Sequence, residues 1–144
     1  MARAEKTEIF DVPLDKFYKA IVDYRSYPNF VEGMRSVEIL NESPDGATVK
    51  FNLSLIKDIS YTIKLTHKPN LEVSWSLVSG DLMKVNNGKW TLKDLGQART
   101  EVTYSLEVEL KGFLPGLGMI EKTLVTTNLP MNMKAFAKRA ASLS

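Results

Sequence analysis

The sequence predicts an α+β fold in which a curved antiparallel sheet of about seven strands wraps a long C-terminal helix, with two short helices after the first strand. Three observations lead there. From Val37 to Leu110, apolar and polar residues alternate with period two in one segment after another. The stretches after Asp11 and after Met119 repeat at helical spacing instead. The alternation is also one-sided. Each strand has one dry and one wet face, the mark of an antiparallel sheet covered on a single side, and the last helix offers an apolar stripe to cover it.

Glu5 to Phe10 read as the first strand. Asp11-Val12-Pro13 then opens a helix, with Asp11 placed to cap and Pro13 suited to a first turn. Leu14, Phe17, Tyr18 and Ile21 give it one apolar face. Tyr24 to Tyr27 break it, and Ser26 and Pro28 start a second short helix carrying Phe30 and Val31. Val37 and Ile39 belong to the next strand, and Ser43-Pro44-Asp45-Gly46 is a turn signal. Val49, Phe51, Leu53 and Leu55 share one parity, as do Ile59, Tyr61, Ile63 and Leu65 in the following strand. Val73, Trp75 and Leu77 come next, then Met83 to Leu92, then Val102, Tyr104, Leu106, Val108 and Leu110.

One strand changes phase. Met83 and Val85 share one parity and Trp90 and Leu92 the other, with Asn86-Asn87-Gly88 between them. A β-bulge within those three residues shifts the phase by one and bends the strand. A tight Asn-Gly hairpin there would leave its first arm very short. After Leu110 the segment Lys111 to Gly118 is an apolar, glycine-rich loop. The final helix carries Ile120, Leu124, Thr127 and Met131 at three- or four-residue spacing, continued by Met133, Phe136, Ala137 and Ala140. Pro130 lies inside it and is expected to kink it, because it lacks the donor its turn needs.

The bulk composition narrows the classes of function. The 144 residues are near the usual size of one domain, expected here over 1–144. They are 44% hydrophobic and 25% charged, as in ordinary globular chains. With 19 basic and 17 acidic residues there is no strong pull toward nucleic acid or an anionic membrane. No cysteine is present, which excludes disulfides, thiolate catalysis and Cys-based zinc sites. The N-terminal ten residues are too polar for a signal peptide, and no apolar run approaches the roughly 20 residues of a membrane helix, so a cytoplasmic location is expected.

A curved sheet around one helix leaves space at one end, and pockets of that kind are mostly apolar with a few polar groups. The candidate lining from the first half of the chain is Phe30, Phe51, Leu53, Tyr61 and Ile63, followed by Trp75, Leu77, Trp90, Tyr104 and Leu106. Leu117, Ile120, Leu124 and Met131 are the candidates from the final helix and its approach, with Phe113 and Leu114 on a loop, Gly112 to Gly118, that could act as a lid and touch a membrane or partner. His67 is the only histidine and has no evident orienting partner, so it reads as structural or surface. Glu107 and Glu109 fall on the wet face, and no carboxylate pair argues for acid–base work. No residue is singled out as catalytic, and neither a metal nor a cofactor is expected. Lys134, Lys138 and Arg139 form a small basic cluster that reads as a solvated face.

Particular stretches resemble a known family. These are Asp23-Tyr24-Arg25-Ser26-Tyr27-Pro28-Asn29-Phe30-Val31, Trp75-Ser76-Leu77-Val78-Ser79-Gly80, Gly88-Lys89-Trp90-Thr91-Leu92, Thr100-Glu101-Val102-Thr103-Tyr104 and Ala135-Phe136-Ala137-Lys138-Arg139-Ala140. Together they resemble the START-like (SRPBCC) superfamily with the helix-grip fold, in its coenzyme Q-binding (Coq10-type) and polyketide cyclase/dehydrase branch. The resemblance spans nearly the whole chain, and Pro130 departs from it. It implies binding or transport of a hydrophobic, lipid-like molecule such as a quinone or polyketide, with no catalysis required. Two other roles occur in that branch: a polyketide cyclase/aromatase enzyme, and a ribosome-association toxin that acts by interaction.

Overall fold

Strand pairing follows from the one-sided alternation. Once the dry faces of successive strands must share one core, register is fixed, since a one-residue slip would turn every apolar side chain to water. The computed structural model describes residues 2–54, 58–112 and 115–143. Its elements are β1 (Ala2–Phe10), α1 (Leu14–Val22), a 3-10 turn (Tyr24–Asn29), β2 (Met34–Ser43), β3 (Gly46–Ser54), β4 (Asp58–Lys68), β5 (Glu72–Gly80), β6 (Met83–Gly96), β7 (Arg99–Leu110), α2 (Leu117–Lys122), a π-helical segment (Thr123–Thr127) and α3 (Asn128–Ala141). The strands form one antiparallel sheet in the order β1-β7-β6-β5-β4-β3-β2. The α1 segment therefore carries the chain from one edge to the other, and β2 to β7 meander back.

Cross-strand partners show the shared dry face directly. Phe51 pairs with Tyr61, Ile63 with Leu77, Leu65 with Trp75, Val73 with Trp90 and Trp90 with Tyr104. The main core lies between this face and the helices, and includes Phe17, Ile21, Tyr24, Val49, Val73, Val102, Leu129 and Met133, all essentially inaccessible. A second apolar cluster gathers Ile59, Met83, Val108, Leu110, Leu124 and Val125 at the other end of the helix.

Curvature comes from single extra residues. The pairing skips Arg35, Leu40, Val78, Lys84 and Leu95, each an unpaired residue on one strand. Such bulges bend a strand and sharpen its twist. They also explain two exposed apolar side chains, Leu40 and Val78, which are bulge residues thrown outward.

Four expectations from the sequence need correction. The phase change in β6 occurs at Lys84 and not within Asn86–Gly88, which pair without interruption with Val108, Glu107 and Leu106. The inward parity therefore runs Met83, Asn86, Gly88, Trp90, and a polar residue takes the place expected to belong to a bulge. On its other side β6 leaves β5 after the Gly88–Trp75 pair, so the two strands splay there. The short turn after α1 begins at Tyr24, earlier than Ser26, and α1 starts after Pro13 with no side-chain cap from Asp11. The disturbance around Pro130 takes the form of the π-helical turn just before it. Leu55, read as a strand residue, lies outside the described residues.

Candidate functional site

Between the concave face and the C-terminal helix there is a cavity of about 110 Å³, counted as the space open to the centre of a water molecule. A single water needs about 10–15 Å³ on this scale. The wall from the sheet comprises Phe51 and Leu53 of β3, Tyr61, Ile63 and Leu65 of β4, Trp75 of β5, Met83, Asn86 and Trp90 of β6, and Tyr104, Leu106 and Val108 of β7. The helical side contributes Leu124, Asn128, Asn132 and Phe136, one residue every four along one face. Ile21, Tyr27, Val31, Glu32 and Met34 complete the wall, and Glu32 is exposed at its rim.

Aromatic rings set the shape. Trp90 stacks on Tyr104 with centroids 4.1 Å apart and an interplanar angle of 5°. Phe136 meets Trp90 edge-on at 4.9 Å and Tyr27 at 5.2 Å. Phe51 lies 5.6 Å from Tyr61, and Trp75 lies 6.0 Å from Tyr104. Edge-to-face and stacked contacts of this kind favour fixed ring orientations.

The polar groups are few. The indole N–H of Trp75 donates to Asn86 Oδ1 at 3.0 Å, a bond across the gap where β5 and β6 splay. Gly88 has no side chain because the Trp75 indole lies over it; a Cβ there would sit 2.6 Å from Trp75 Cε2 and 2.8 Å from the Ser105 carbonyl oxygen. Burial pushes the Tyr61 phenol up to about 12. It raises Tyr104 further, against a smaller lowering by the Asn132 side chain that bonds its hydroxyl. Both phenols thus remain protonated and neutral at ordinary pH, able to donate and accept hydrogen bonds.

Of the residues expected to line a pocket, Phe51, Leu53, Tyr61, Ile63, Trp75, Trp90, Tyr104, Leu106 and Leu124 come together on this wall. Others do not. Phe30 packs outside it against Phe136 at 5.0 Å, with the Arg139 guanidinium 5.7 Å above its ring. Leu77 lies at the margin of both core clusters, and Leu117 and Ile120 pack against the second. Met131 is 45% exposed on the outer side of α3. Phe113 and Leu114, and with them the centre of the expected lid, lie outside the described residues.

Sequence reasoning missed Ile21, Tyr27, Val31, Glu32, Met34, Leu65, Met83, Asn86, Val108, Asn128, Asn132 and Phe136 as wall residues. One signal was available: Leu124, Asn128, Asn132 and Phe136 recur at intervals of four. His67, read as structural or surface, is structural. It is buried, its Nε2 lies 2.7 Å from the Tyr24 hydroxyl, and its ring stacks on the Tyr24 ring with centroids 5.9 Å apart.

A curved sheet gripping a C-terminal helix around an apolar cavity defines a START-like protein. The chain belongs to the family described as polyketide cyclase / dehydrase and lipid transport, whose model it matches over residues 10–137. It is 26% identical to the ribosome association toxin RatA of Escherichia coli K12, over 97% of this chain and 87% of that protein. The same figures hold for the persistence and stress-resistance toxin PasT of Escherichia coli O6:H1. Among solved structures, the Zhui aromatase/cyclase from Streptomyces sp. R1128 superimposes with a TM-score of 0.84 at 16% identity, covering 97% of this chain and 93% of that one. A START superfamily protein from Mycobacterium smegmatis gives 0.83 at 20% identity over 99% of both chains. At these identities the structural likeness concerns the fold.

Proposed function

We propose that this protein binds a hydrophobic small molecule between its sheet and α3, and holds or hands it on. The observation that carries this reading is the cavity itself, walled by aromatic and aliphatic side chains from both layers at a place where a filled core would be more stable. A family description that includes lipid transport supports it. The fold shared with an aromatase/cyclase supports a ring compound, such as a quinone or polyketide, as the finer reading. Native mass spectrometry of the gently purified chain is the test. One organic molecule per chain is expected, and Leu106→Trp, which fills the cavity, should abolish it. A bare chain, together with no thermal stabilisation by a lipid extract of the source cells, would overturn the reading.

A second reading is association with the ribosome. The near end-to-end match to RatA and PasT favours it, as do the exposed Lys134 and Lys138 one turn apart on α3. Co-sedimentation with ribosomes, lost in the Lys134→Glu/Lys138→Glu variant, is its expected result. Absence of co-sedimentation at low salt would remove it.

A further inference from the structure

Along α3 and the turn before it, the cavity face runs Leu124, Asn128, Asn132, Phe136. Two carboxamides thus occupy the middle of an apolar seam. Asparagine is among the poorer helix formers, and an amide turned toward an apolar space costs stability unless it finds a partner. Leucine at both positions would serve the helix and the core better. The sheet places polar groups opposite, the phenol hydroxyls of Tyr104 and Tyr61 on the same wall.

The wall also has a definite charge character. Among its described residues only Glu32 ionises at neutral pH, and Glu32 stands exposed at the rim. Among the described residues no cation lines the interior, so a carboxylate or phosphate carried inside would lose its hydration and meet no counter-charge from them. Size sets a further limit. The cavity of about 110 Å³ is somewhat smaller than the roughly 150 Å³ apolar cavity that takes a benzene ring. The flat faces of Trp90 and Tyr104 suit a planar guest.

We propose that the group bound in this cavity is an uncharged single ring carrying a hydroxyl or carbonyl, and that Asn128 and Asn132 select it by hydrogen-bonding that substituent. The proposal rests on the reading of the cavity as a ligand site and adds the chemistry of the buried end of the ligand. Any further length of the ligand extends past Glu32 toward the groove along residues 28–35.

The test is calorimetric titration of the full chain with three molecules of one skeleton: p-xylene, p-cresol and p-toluate. The cresol is expected to bind about tenfold more tightly than the xylene, the scale of one net hydrogen bond between neutral groups, and the toluate not at all. In Asn132→Leu, and separately in Asn128→Leu, the preference for cresol over xylene should fall toward unity; the melting temperature should hold or rise in Asn128→Leu, because leucine is the better helix former, and fall modestly in Asn132→Leu, which takes a partner from the Tyr104 hydroxyl. Equal affinity of wild type for cresol and xylene would leave the apolar container standing and overturn the polar selection. So would toluate binding as tightly as cresol, or a large fall in melting temperature in both leucine variants, which would make the amides structural. No binding by any of the three would overturn this proposal, while native mass spectrometry and the lipid extract decide the container reading.

Discussion

The contact between Gly88 and Trp75 offers a quantitative check on how the cavity wall is held. In Gly88→Ala the new methyl would lie 2.6 Å from Trp75 Cε2 and 2.8 Å from the Ser105 carbonyl oxygen, where real side chains do not go. The β7 ladder fixes the backbone on one side, so the indole must move. Forcing an extra methyl into a packed site costs about 1–3 kcal/mol. The displaced indole also gives up its bond to Asn86, worth about 0.5–1.5 kcal/mol net. A loss of about 2–4 kcal/mol follows, and at about 2–4 °C per kcal/mol for a chain near this size the melting temperature should fall by roughly 5–15 °C. A double-mutant cycle isolates the cause. Phenylalanine at position 75 lacks the part of the indole that covers Gly88, so Gly88→Ala should cost at least about 1 kcal/mol less in a Trp75→Phe background. Urea denaturation of the four proteins measures this. A strictly additive cycle, or a Gly88→Ala variant as stable as wild type, would refute the argument.

Two further predictions concern buried polar groups away from the cavity. Burial lowers the His67 pKa, outweighing the raising effects of the Pro44 carbonyl, Glu42 and Asp45. The unfolded chain therefore binds this proton more readily than the folded one, and His67 contributes stability that is fully present above about pH 6.5 and lost as pH falls toward the folded value. Melting curves between pH 7.5 and 5.5 should fall more steeply for wild type than for His67→Gln; parallel curves would contradict the assignment. Thr100, fully buried, donates its hydroxyl to the Val12 carbonyl at 2.7 Å and so ties β7 to the start of α1. Thr100→Val keeps the shape but strands that carbonyl, and chemical denaturation should register a loss of about 1–3 kcal/mol.

The sheet was legible because alternation records burial twice over, once through the apolar residues and once through the polar ones between them. Val49, Phe51 and Leu53, or Tyr104 and Leu106, could be assigned to one face with no knowledge of their partners. The polar part of the site was not legible by the same means. Asn86 faces inward, but a rule that counts apolar residues has no way to place an asparagine on a dry face, and the sequence Asn-Asn-Gly imitates a turn. On the helix the error has a mechanical source. Helical spacing from Leu124 leads to Thr127 and Met131, and an uninterrupted α-helix would put them in the seam. The π-helical turn at Thr123–Thr127 spends one extra residue, which delays the seam by one position, to Asn128 and Asn132, and turns Met131 to solvent.

Departures from local rules are expected to collect where a protein does its work, and their distribution here bears on the function. A missing side chain at Gly88, a splay between β5 and β6 closed by one hydrogen bond, a π-helical turn ahead of Pro130 and two asparagines in a helix seam all border the same cavity. The bulges at Leu40 and Leu95 lie elsewhere, and curvature of the sheet accounts for them. Two of these departures have a simple replacement that would pack more tightly: leucine for either asparagine, and an unbroken α-helix through 123–127. Removing the π turn would carry Met131 into the seam and displace Asn132, so the polar groups and the irregular helix form one arrangement. A fold selected for stability alone has no need of that arrangement; a fold that keeps an open space with hydrogen-bonding groups at its centre does.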